Sequence, residues 1–320
     1  MNLKMPLIAI APMLDWTDRH FRYFMRQITK HTTLYTEMIV ADAIIHGNLE
    51  HLLAFNDEEH PIIVQLGGCD PHKLAKASHK CQEYGYNGIN LNIGCPSERV
   101  KSGNFGACLM QDAQLVANCI HHMQDAVSIP VSIKHRIGLN YIEDYSFLHD
   151  FVATIAQFGC SEFIVHARNA ILHGLSPKQN REIPPLKYEY VYKLKQDFPH
   201  LIFIINGGIK TIEAIENQLK HVDGVMLGRE AYYNPYLFYN FDQLWFKSTK
   251  TPQNRLEIAH AMLPYLENAL LKNIPLHHIT RHMIGLYHGC PKAKTWRYQL
   301  TNEMIKTNSI NTYLQALEIM

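Results

Sequence analysis

The feature that most constrains the fold is a repeated alternation of short apolar runs and helical segments between residues 7 and 227. Each run is rich in branched apolar residues and is followed by a turn and a segment with helical spacing, which is the pattern of βα units. The runs are almost continuously apolar, as expected for parallel strands covered on both faces. They span residues 7–11, 34–38, 62–66, 89–93, 130–134, 162–166, 201–206 and 224–227.

Capping residues place several of the intervening helices. Asp70-Pro71 predicts the start of one helix that ends at Gly85, Asp112 begins a second, and Thr211 begins a third. Eight strands separated by helices fit an α/β fold of the (β/α)₈ TIM barrel type. An open doubly wound sheet is the alternative, and the lack of a Gly-x-Gly-x-x-Gly motif after the first strand disfavours it.

The strand pattern ends at Asn234-Pro235, and from about residue 253 only helical spacing remains. We therefore predict a barrel over residues 1–245 followed by a small all-helical C-terminal domain over 250–320. That tail holds eight Lys and Arg against four Glu, whereas the whole chain has 30 basic and 29 acidic residues. A basic module on a neutral body suits a polyanionic partner, although an ordinary solvated helical surface has the same composition.

Several classes of protein are disfavoured by composition. Seven scattered cysteines without a Cys-x-x-Cys pair indicate neither a disulfide framework nor a structural zinc site. The 20 histidines include no zincin pattern, so we predict no metal. No segment approaches the roughly 18 uncharged apolar residues of a membrane span. We expect a cytoplasmic protein with reduced thiols, no membrane association and no protein partner evident from the sequence.

Two predicted loops at the carboxyl ends of the strands suit a phosphate group. In a TIM barrel these loops build the active site, and those after strands 7 and 8 commonly grip phosphate. Gly207 and Gly208 would let backbone N–H groups approach an anion. Gly228 would do the same, and the guanidinium of Arg229 beside it could donate charged hydrogen bonds to a phosphate. Tight left-handed turns without a ligand are the structural alternative.

A cation is predicted inside the mouth of the barrel. Lys134 ends the fifth apolar run, so its ammonium would need an anion nearby. It could form a Schiff base, as in barrel aldolases, or lie against the pyrimidine edge of a flavin. Gln65 and Asn92 end neighbouring strands and carry amides suited to a heteroaromatic edge. Each of these residues could equally be a polar residue at a strand end whose hydrogen bonds are all made within the protein.

Cys95 differs from the other cysteines because it lies in a Gly-Cys-Pro turn after the fourth strand. A thiol is mostly protonated at neutral pH and could act as a general acid, whereas a neighbouring cation would favour a nucleophilic thiolate. The following loop contains Gly103 and Gly106 and could close over a substrate. Cys69, which also follows a strand end, is the second candidate thiol.

Taken in order, these strand-end motifs closely resemble those of the tRNA-dihydrouridine synthases. Two further stretches, 174–186 and 278–285, resemble the A-type subfamily, which modifies the D-loop of tRNA. The barrel motifs that carry the resemblance are Ala11-Pro-Met13, Val64-Gln-Leu-Gly-Gly68, Asn92-Ile-Gly-Cys-Pro-Ser97, Ser132-Ile-Lys-His-Arg-Ile-Gly138, Val165-His-Ala-Arg168, Ile205-Asn-Gly-Gly-Ile209 and Met226-Leu-Gly-Arg-Glu-Ala231.

The resemblance implies an FMN-dependent oxidoreductase that uses NADPH to reduce the C5–C6 double bond of uridine, at D-loop positions 20 and 20a in the A-type case. Cys95 would be the general acid that protonates C5. Asn92 would face the uracil, and the tRNA contacts that mark the subfamily would be Lys178, Arg181, Lys294 and Arg297. The residues that would hold FMN are Ala11, Pro12, Met13, Gln65, Lys134, His166, Asn206, Gly207, Gly208, Gly228 and Arg229.

Three alternative functions remain open from the residues alone. One keeps FMN but acts on a small dihydropyrimidine such as dihydroorotate, and the basic tail argues against it. Another is a tRNA-binding protein that has lost catalysis, which would bind tRNA in a salt-sensitive way without flavin. The third is an aldolase that uses Lys134 as its Schiff base.

Overall fold

The computed structural model describes residues 5–97, 103–141 and 144–320. Across these residues the strands are parallel and alternate with helices, and each of the eight predicted runs forms a strand. The strands are β1 Leu7–Ile10, β2 Leu34–Val40, β3 Ile62–Gly67, β4 Gly88–Ile93, β5 Val131–Arg136, β6 Glu162–His166, β7 Ile202–Asn206 and β8 Gly224–Leu227.

The sheet curls into a barrel, so that β1 lies beside the residues that immediately precede β2. Its strand order is β1-β8-β7-β6-β5-β4-β3-β2. At the remaining junction, Ile10 N–H donates to the carbonyl of Thr33, and Thr33 N–H donates to the carbonyl of Ile8, both at 2.9 Å. The predicted TIM-type α/β barrel is confirmed, and the open-sheet alternative is wrong.

Helices cover the barrel as the caps predicted. Asp70 accepts from Lys73 N–H at 2.9 Å, and Gly85 ends that helix with a φ of 104°. The other two predicted caps, Asp112 and Thr211, also accept from their helices. The barrel helices are α1 Arg19–Ile28, α2 Ala41–His46, α3 Leu49–Leu53, α4 Pro71–Tyr84, α5 Ala113–Ala126, α6 Tyr145–Gln157, α7 Tyr188–Asp197, α8 Ile212–Leu219, α9 Arg229–Tyr233 and α10 Phe241–Phe246.

Only helices and turns follow residue 250 in the described chain, as predicted. They pack against α1: Arg281 Nη2 lies 2.9 Å and His282 Nε2 3.0 Å from Asp18 Oδ2, and His20 Nδ1 lies 2.7 Å from the Tyr265 hydroxyl. The division into domains at 245 and 250 stays a prediction. The helices are α11 Arg255–Ala261, α12 Leu263–Leu271, α13 His277–Thr280, α14 Ala293–Tyr298, α15 Met304–Thr307 and α16 Ile310–Ile319.

The lower part of the barrel interior is filled by side chains. Ala9, Tyr35, Ile164, Ile204 and Met226 pack together there, each almost fully buried. Such inward-facing layers make a TIM barrel a packed core and not a pore. A larger open space lies above this layer, toward the carboxyl ends of the strands.

Candidate active site

A cavity of about 1460 Å³ opens at the carboxyl ends of the strands. Fourteen of the predicted site residues line it, although they are scattered between residues 11 and 229 of the sequence. This is where a TIM barrel places its catalytic groups. The predicted residues that line the cavity are Ala11, Pro12, Met13, Gln65, Asn92, Cys95, Lys134, His166, Arg181, Asn206, Gly207, Gly208, Gly228 and Arg229.

Cys95 is held at the cavity wall by a turn that Asn92 builds. Asn92 Oδ1 accepts from the backbone N–H of Gly94 at 3.1 Å and of Cys95 at 3.0 Å, which is the turn chemistry that asparagine favours. The Cys95 thiol is half-buried, and its Sγ donates to the hydroxyl of Ser97 at 3.4 Å. Cys69, the second candidate thiol, does not line the cavity. The loop predicted to close after Cys95 includes residues 98–102, which lie outside the described residues.

The amide nitrogen of Asn92 belongs to a chain of hydrogen-bonded side chains that joins the neighbouring strands β3, β4 and β5. Asn92 Nδ2 donates to Gln65 Oε1 at 2.9 Å, Gln65 Nε2 donates to Asn90 Oδ1 at 2.8 Å, and Asn90 Nδ2 donates to Ser132 Oγ at 2.9 Å. Each link fixes the orientation of the next amide. Gln65 and Asn92 therefore present atoms to the cavity from a rigid polar ladder.

Two cations lie side by side in the cavity wall on β5. Among the described residues, no carboxylate pairs with Lys134, and burial followed by the charge of Arg136 lowers the pKa of Lys134 to about 7. Arg136 is only 4% exposed, and its Nε donates to the carbonyl of Gly94 at 3.1 Å. Both cations lie close enough to Cys95 to attract a negative charge on its sulfur. Positive charge gathered in a buried site suits an anionic ligand.

His166 ends β6 beside these cations. It is 8% exposed, and burial followed by the charges of Arg136 and Lys134 holds its pKa well below the ordinary value. At neutral pH the imidazole is therefore uncharged, so it can both donate and accept a hydrogen bond inside the cavity.

The turn after β7 needs glycine at both positions. Gly207 and Gly208 have φ angles of 121° and 70°, a region that residues with a Cβ rarely adopt. A Cβ at Gly207 would lie 2.8 Å from His166, and one at Gly208 would lie 2.6 Å from Leu186. Asn206, just before them, donates from Nδ2 to the carbonyl of Met226 at 2.7 Å and so ties β7 to β8.

Arg229 contacts the loop after β6 at the cavity mouth. Its Nη1 pairs with the carboxylate of Glu182, and its Nη2 donates to the carbonyl of Arg181 at 3.5 Å. Arg136 holds the same loop through a 3.0 Å bond from Nη1 to the carbonyl of Asn180. The loop that carries two predicted tRNA contacts is thus fixed by arginines of the cavity.

Three predicted tRNA contacts lie outside the cavity. Lys178 is exposed on the loop after β6, and Lys294 and Arg297 are exposed on α14. Trp296, between the latter two, is fully buried and donates to the carbonyl of Met283 at 2.9 Å, so its neighbours face solvent. Whether these three residues contact RNA stays a prediction.

The sequence analysis gave no role in the site to many residues that line the cavity, Arg136, His278 and Arg281 among them. Arg136 follows Lys134 by two positions, and the two-residue period of a strand was the signal that both side chains point the same way. His278 and Arg281 also line the cavity, although they come from the C-terminal helices. No local pattern could place them there, because their position depends on how those helices pack on the barrel.

Metal-binding clusters and membrane-spanning helices are both absent from the described part of the chain. Among residues 5–97, 103–141 and 144–320, no group of three or more His, Cys, Asp or Glu is placed to hold a metal ion. None of the helices in these ranges has the length and apolar character needed to cross a membrane.

Comparison with known proteins agrees with the strand-end motifs. The family model described as dihydrouridine synthase matches residues 9–318. The tRNA-dihydrouridine(20/20a) synthase of Synechocystis sp. is 53% identical over 313 residues, covering 97% of this chain and 94% of that protein. The enzymes of that name from Vibrio parahaemolyticus and Escherichia coli K12 are each 52% identical, covering 94% and 98% of this chain and 93% and 91% of their own lengths. The chain belongs to the dihydrouridine synthase family.

Proposed function

We propose that this protein is a tRNA-dihydrouridine(20/20a) synthase, which reduces the C5–C6 double bond of D-loop uridines with bound FMN and with NADPH as reductant. The observation that carries the proposal is the shared cavity. It brings together Cys95, a lysine that pairs with no carboxylate among the described residues, and a glycine turn suited to phosphate. Identity of about half over nearly the whole chain, to enzymes of that name, supports the choice of substrate.

The residues present fit FMN. The cavity is larger than the 300–1,000 Å³ of an ordinary small-molecule pocket, so a cofactor and a base could share it. Gly207 and Gly208 leave a cradle beside His166 that a Cβ would fill, and Arg229 supplies a charged fork for a phosphate. Lys134 would lie near the ring system and could bind its polar edge through the ammonium group.

When bound and reduced by NADPH, FMN supplies the hydride that C6 of the uracil accepts. The protein's own contribution to the step is the proton. Cys95 Sγ would transfer its proton to C5, so that one hydride and one proton saturate the double bond and the sulfur is left as a thiolate. Lys134 and Arg136 lie close enough to interact with that negative charge. Solvent then returns a proton to Cys95 before the next turnover.

Positioning of the acid falls to residues that do not react. Asn92 fixes the backbone of Cys95, and Arg136 holds the carbonyl of Gly94 just before it. A general acid must lie within hydrogen-bond reach of the atom that it protonates. The rigid turn therefore supports the assignment of Cys95 in preference to Cys69, which lies outside the cavity.

The RNA substrate accounts for the breadth of the cavity mouth. A uracil must leave its stack to enter the pocket, and the protein must hold the rest of the RNA through its phosphates. Arg181 lines the cavity, while Lys178, Lys294 and Arg297 lie exposed beyond it. We infer that these cations contact tRNA and that position is chosen largely by the shape of the folded RNA.

The test is to purify the protein and supply NADPH and an unmodified tRNA transcript with uridine at positions 20 and 20a. We expect bound FMN that bleaches with NADPH, and dihydrouridine at those positions by mapping of the product. Equal turnover of free uracil or orotate would favour the small-molecule reductase instead. A colourless protein that binds tRNA without forming product would favour the RNA-binding alternative, and borohydride trapping on Lys134 would favour the aldolase.

A further inference from the structure

Four large apolar side chains are exposed on the loops that surround the cavity. Leu14 follows β1, Tyr141 follows β5, Ile183 precedes α7, and Tyr233 ends α9 after β8; their exposed fractions are 64%, 82%, 59% and 52%. All four lie at the carboxyl ends of the strands, which is the face that carries the cavity. Apolar groups gathered around a functional opening mark a surface that contacts a partner.

Two of these side chains form a ledge with Trp16, and we call Leu14, Trp16 and Tyr233 the aromatic ledge. Leu14 and Trp16 line the cavity itself. The Tyr233 ring meets the Trp16 ring edge-on, at 5.3 Å between centroids and 67° between planes. The loops after β1 and β8 lie next to each other because those strands are paired. The ledge is therefore a continuous apolar edge on one side of the mouth.

The aromatic ledge rests on aromatic side chains of the protein interior. Trp16 stacks on Tyr232 with centroids 4.4 Å apart and planes 17° apart. Tyr232 is only 8% exposed and packs in turn against Phe21 of α1 at 5.5 Å. A rigidly supported aromatic loses little conformational entropy when a ligand stacks on it. This support distinguishes the ledge from a loose surface aromatic.

Cations flank the ledge. Arg229 begins the helix that ends at Tyr233, and its Nη2 donates to the carbonyl of Arg181 at 3.5 Å, so these two arginines lie together beside the ledge. Arg19 and Arg281 line the same cavity. Aromatic rings set among arginines are the combination by which proteins bind single-stranded nucleic acid, because rings stack on bases while cations bind phosphates. This charge pattern selects a nucleotide over an apolar peptide as the occupant.

We propose that the aromatic ledge receives the unstacked base of the nucleotide next to the target uridine. The inference rests on the proposed function, since it supplies what that reaction requires. When the uridine leaves the loop stack, the neighbouring base loses a stacking partner. A ledge at the rim of the pocket replaces that partner, and so lowers the free-energy cost of drawing the uridine into the cavity.

The experiment uses the flavin-loaded protein and two D-loop transcripts, with 2-aminopurine immediately 5′ or immediately 3′ of the target uridine. Stacking quenches the emission of this base. With wild-type protein we expect quenched emission at one of the two positions, and with Tyr233→Ala a brighter signal at that same position. Tyr233→Phe keeps the ring and should keep the quenching. Emission that is the same for all three proteins at both positions would overturn the proposal.

Kinetics give a second readout. Tyr233→Ala should raise the KM for tRNA roughly tenfold, as expected for loss of one base stack, with a smaller increase for Leu14→Ala. The matched control is Tyr239→Ala, which removes an exposed tyrosine that stacks on Tyr236 and is not part of the ledge, and its KM should stay at the wild-type value. If the wild-type protein forms no dihydrouridine, the proposed function fails; if it does and both ledge variants keep the wild-type KM, only the ledge proposal fails.

Discussion

The side-chain oxygen of Asn92 accepts a hydrogen bond from the backbone N–H of Cys95 at 3.0 Å. The same oxygen binds the N–H of Gly94, while the Asn92 amide nitrogen donates to Gln65. One side chain therefore connects the backbone of Cys95, the proposed acid, to the polar ladder inside the barrel. The residue that is expected to face the uracil also determines where the acid stands.

Asn92→Ala should misplace Cys95 without unfolding the barrel. A displacement of about 1 Å in a reacting group can cost on the order of 100-fold in rate, so we expect single-turnover reduction of tRNA to slow by about that factor. Asn92→Asp keeps the oxygen that accepts from Cys95 and should retain more activity than Asn92→Ala. Rapid-quench assays with pre-reduced flavin measure this, and a wild-type rate for Asn92→Ala would contradict the positioning role.

Cys95→Ala should separate the two halves of the reaction. Flavin bleaching by NADPH does not need the thiol and should continue, whereas dihydrouridine formation should fall by at least the roughly 100-fold typical of losing a general acid. Because Cys95 is half-buried and outside the packed layer, the free energy of unfolding should change little. Stopped-flow absorbance and product mapping provide the two readouts, with Cys69→Ala as the matched thiol control. Product formation by Cys95→Ala at the wild-type rate would refute the acid assignment.

Gly207→Ala should weaken flavin binding. The added Cβ would lie 2.8 Å from His166 and 2.9 Å from Leu186, at a φ of 121°, so the turn must shift away from the cavity. Gly174→Ala is the matched control, because its φ is also positive at 84° but nothing lies within 4 Å of the new Cβ. Both should lose about 1 kcal/mol of stability from backbone strain. Titration with FMN should show reduced affinity in Gly207→Ala alone, and equal affinity in both variants would argue against a flavin at this turn.

His135 should make the fold less stable in acid. Burial lowers its pKa in the folded protein from 6.5 to about 4, while its Nδ1 lies 2.6 Å from the carbonyl of Arg136. Between these pKa values the unfolded chain binds the extra proton and the folded chain does not, so the free energy of unfolding falls as pH decreases from about 6.5 toward 4. At pH 5 this one group lowers the free energy of unfolding by about 2 kcal/mol.

His135→Phe, flanked by Phe151 and Phe163, should remove that part of the pH dependence. Urea unfolding at a fixed FMN concentration measures the free energy of unfolding of the wild type and of the variant at pH 7 and at pH 5. His121→Gln, which replaces an exposed histidine on α5, serves as the control. The prediction would be contradicted if the free energy of unfolding fell as much between pH 7 and pH 5 in His135→Phe as in the wild type.

Local sequence was enough to predict the barrel. The strands are buried on both faces, so each reads as an apolar run, and Asp70, Asp112 and Thr211 cap their helices through contacts only a few residues long. The strand-end rule then predicted that Cys95, Lys134 and Gly207 would lie together, because in a parallel barrel every strand ends at the same face. These conclusions needed no knowledge of which side chains touch.

The tertiary structure alone decided the details of the site. Arg281 reaches the cavity because α1 and the C-terminal helices meet at Asp18, and the ledge exists because β1 pairs with β8 and so brings Trp16 to Tyr233. Asn92 proved to hold Cys95 through its side-chain oxygen, which its residue type alone could not specify. Such contacts join residues far apart in the chain, and their geometry depends on packing that no local pattern encodes.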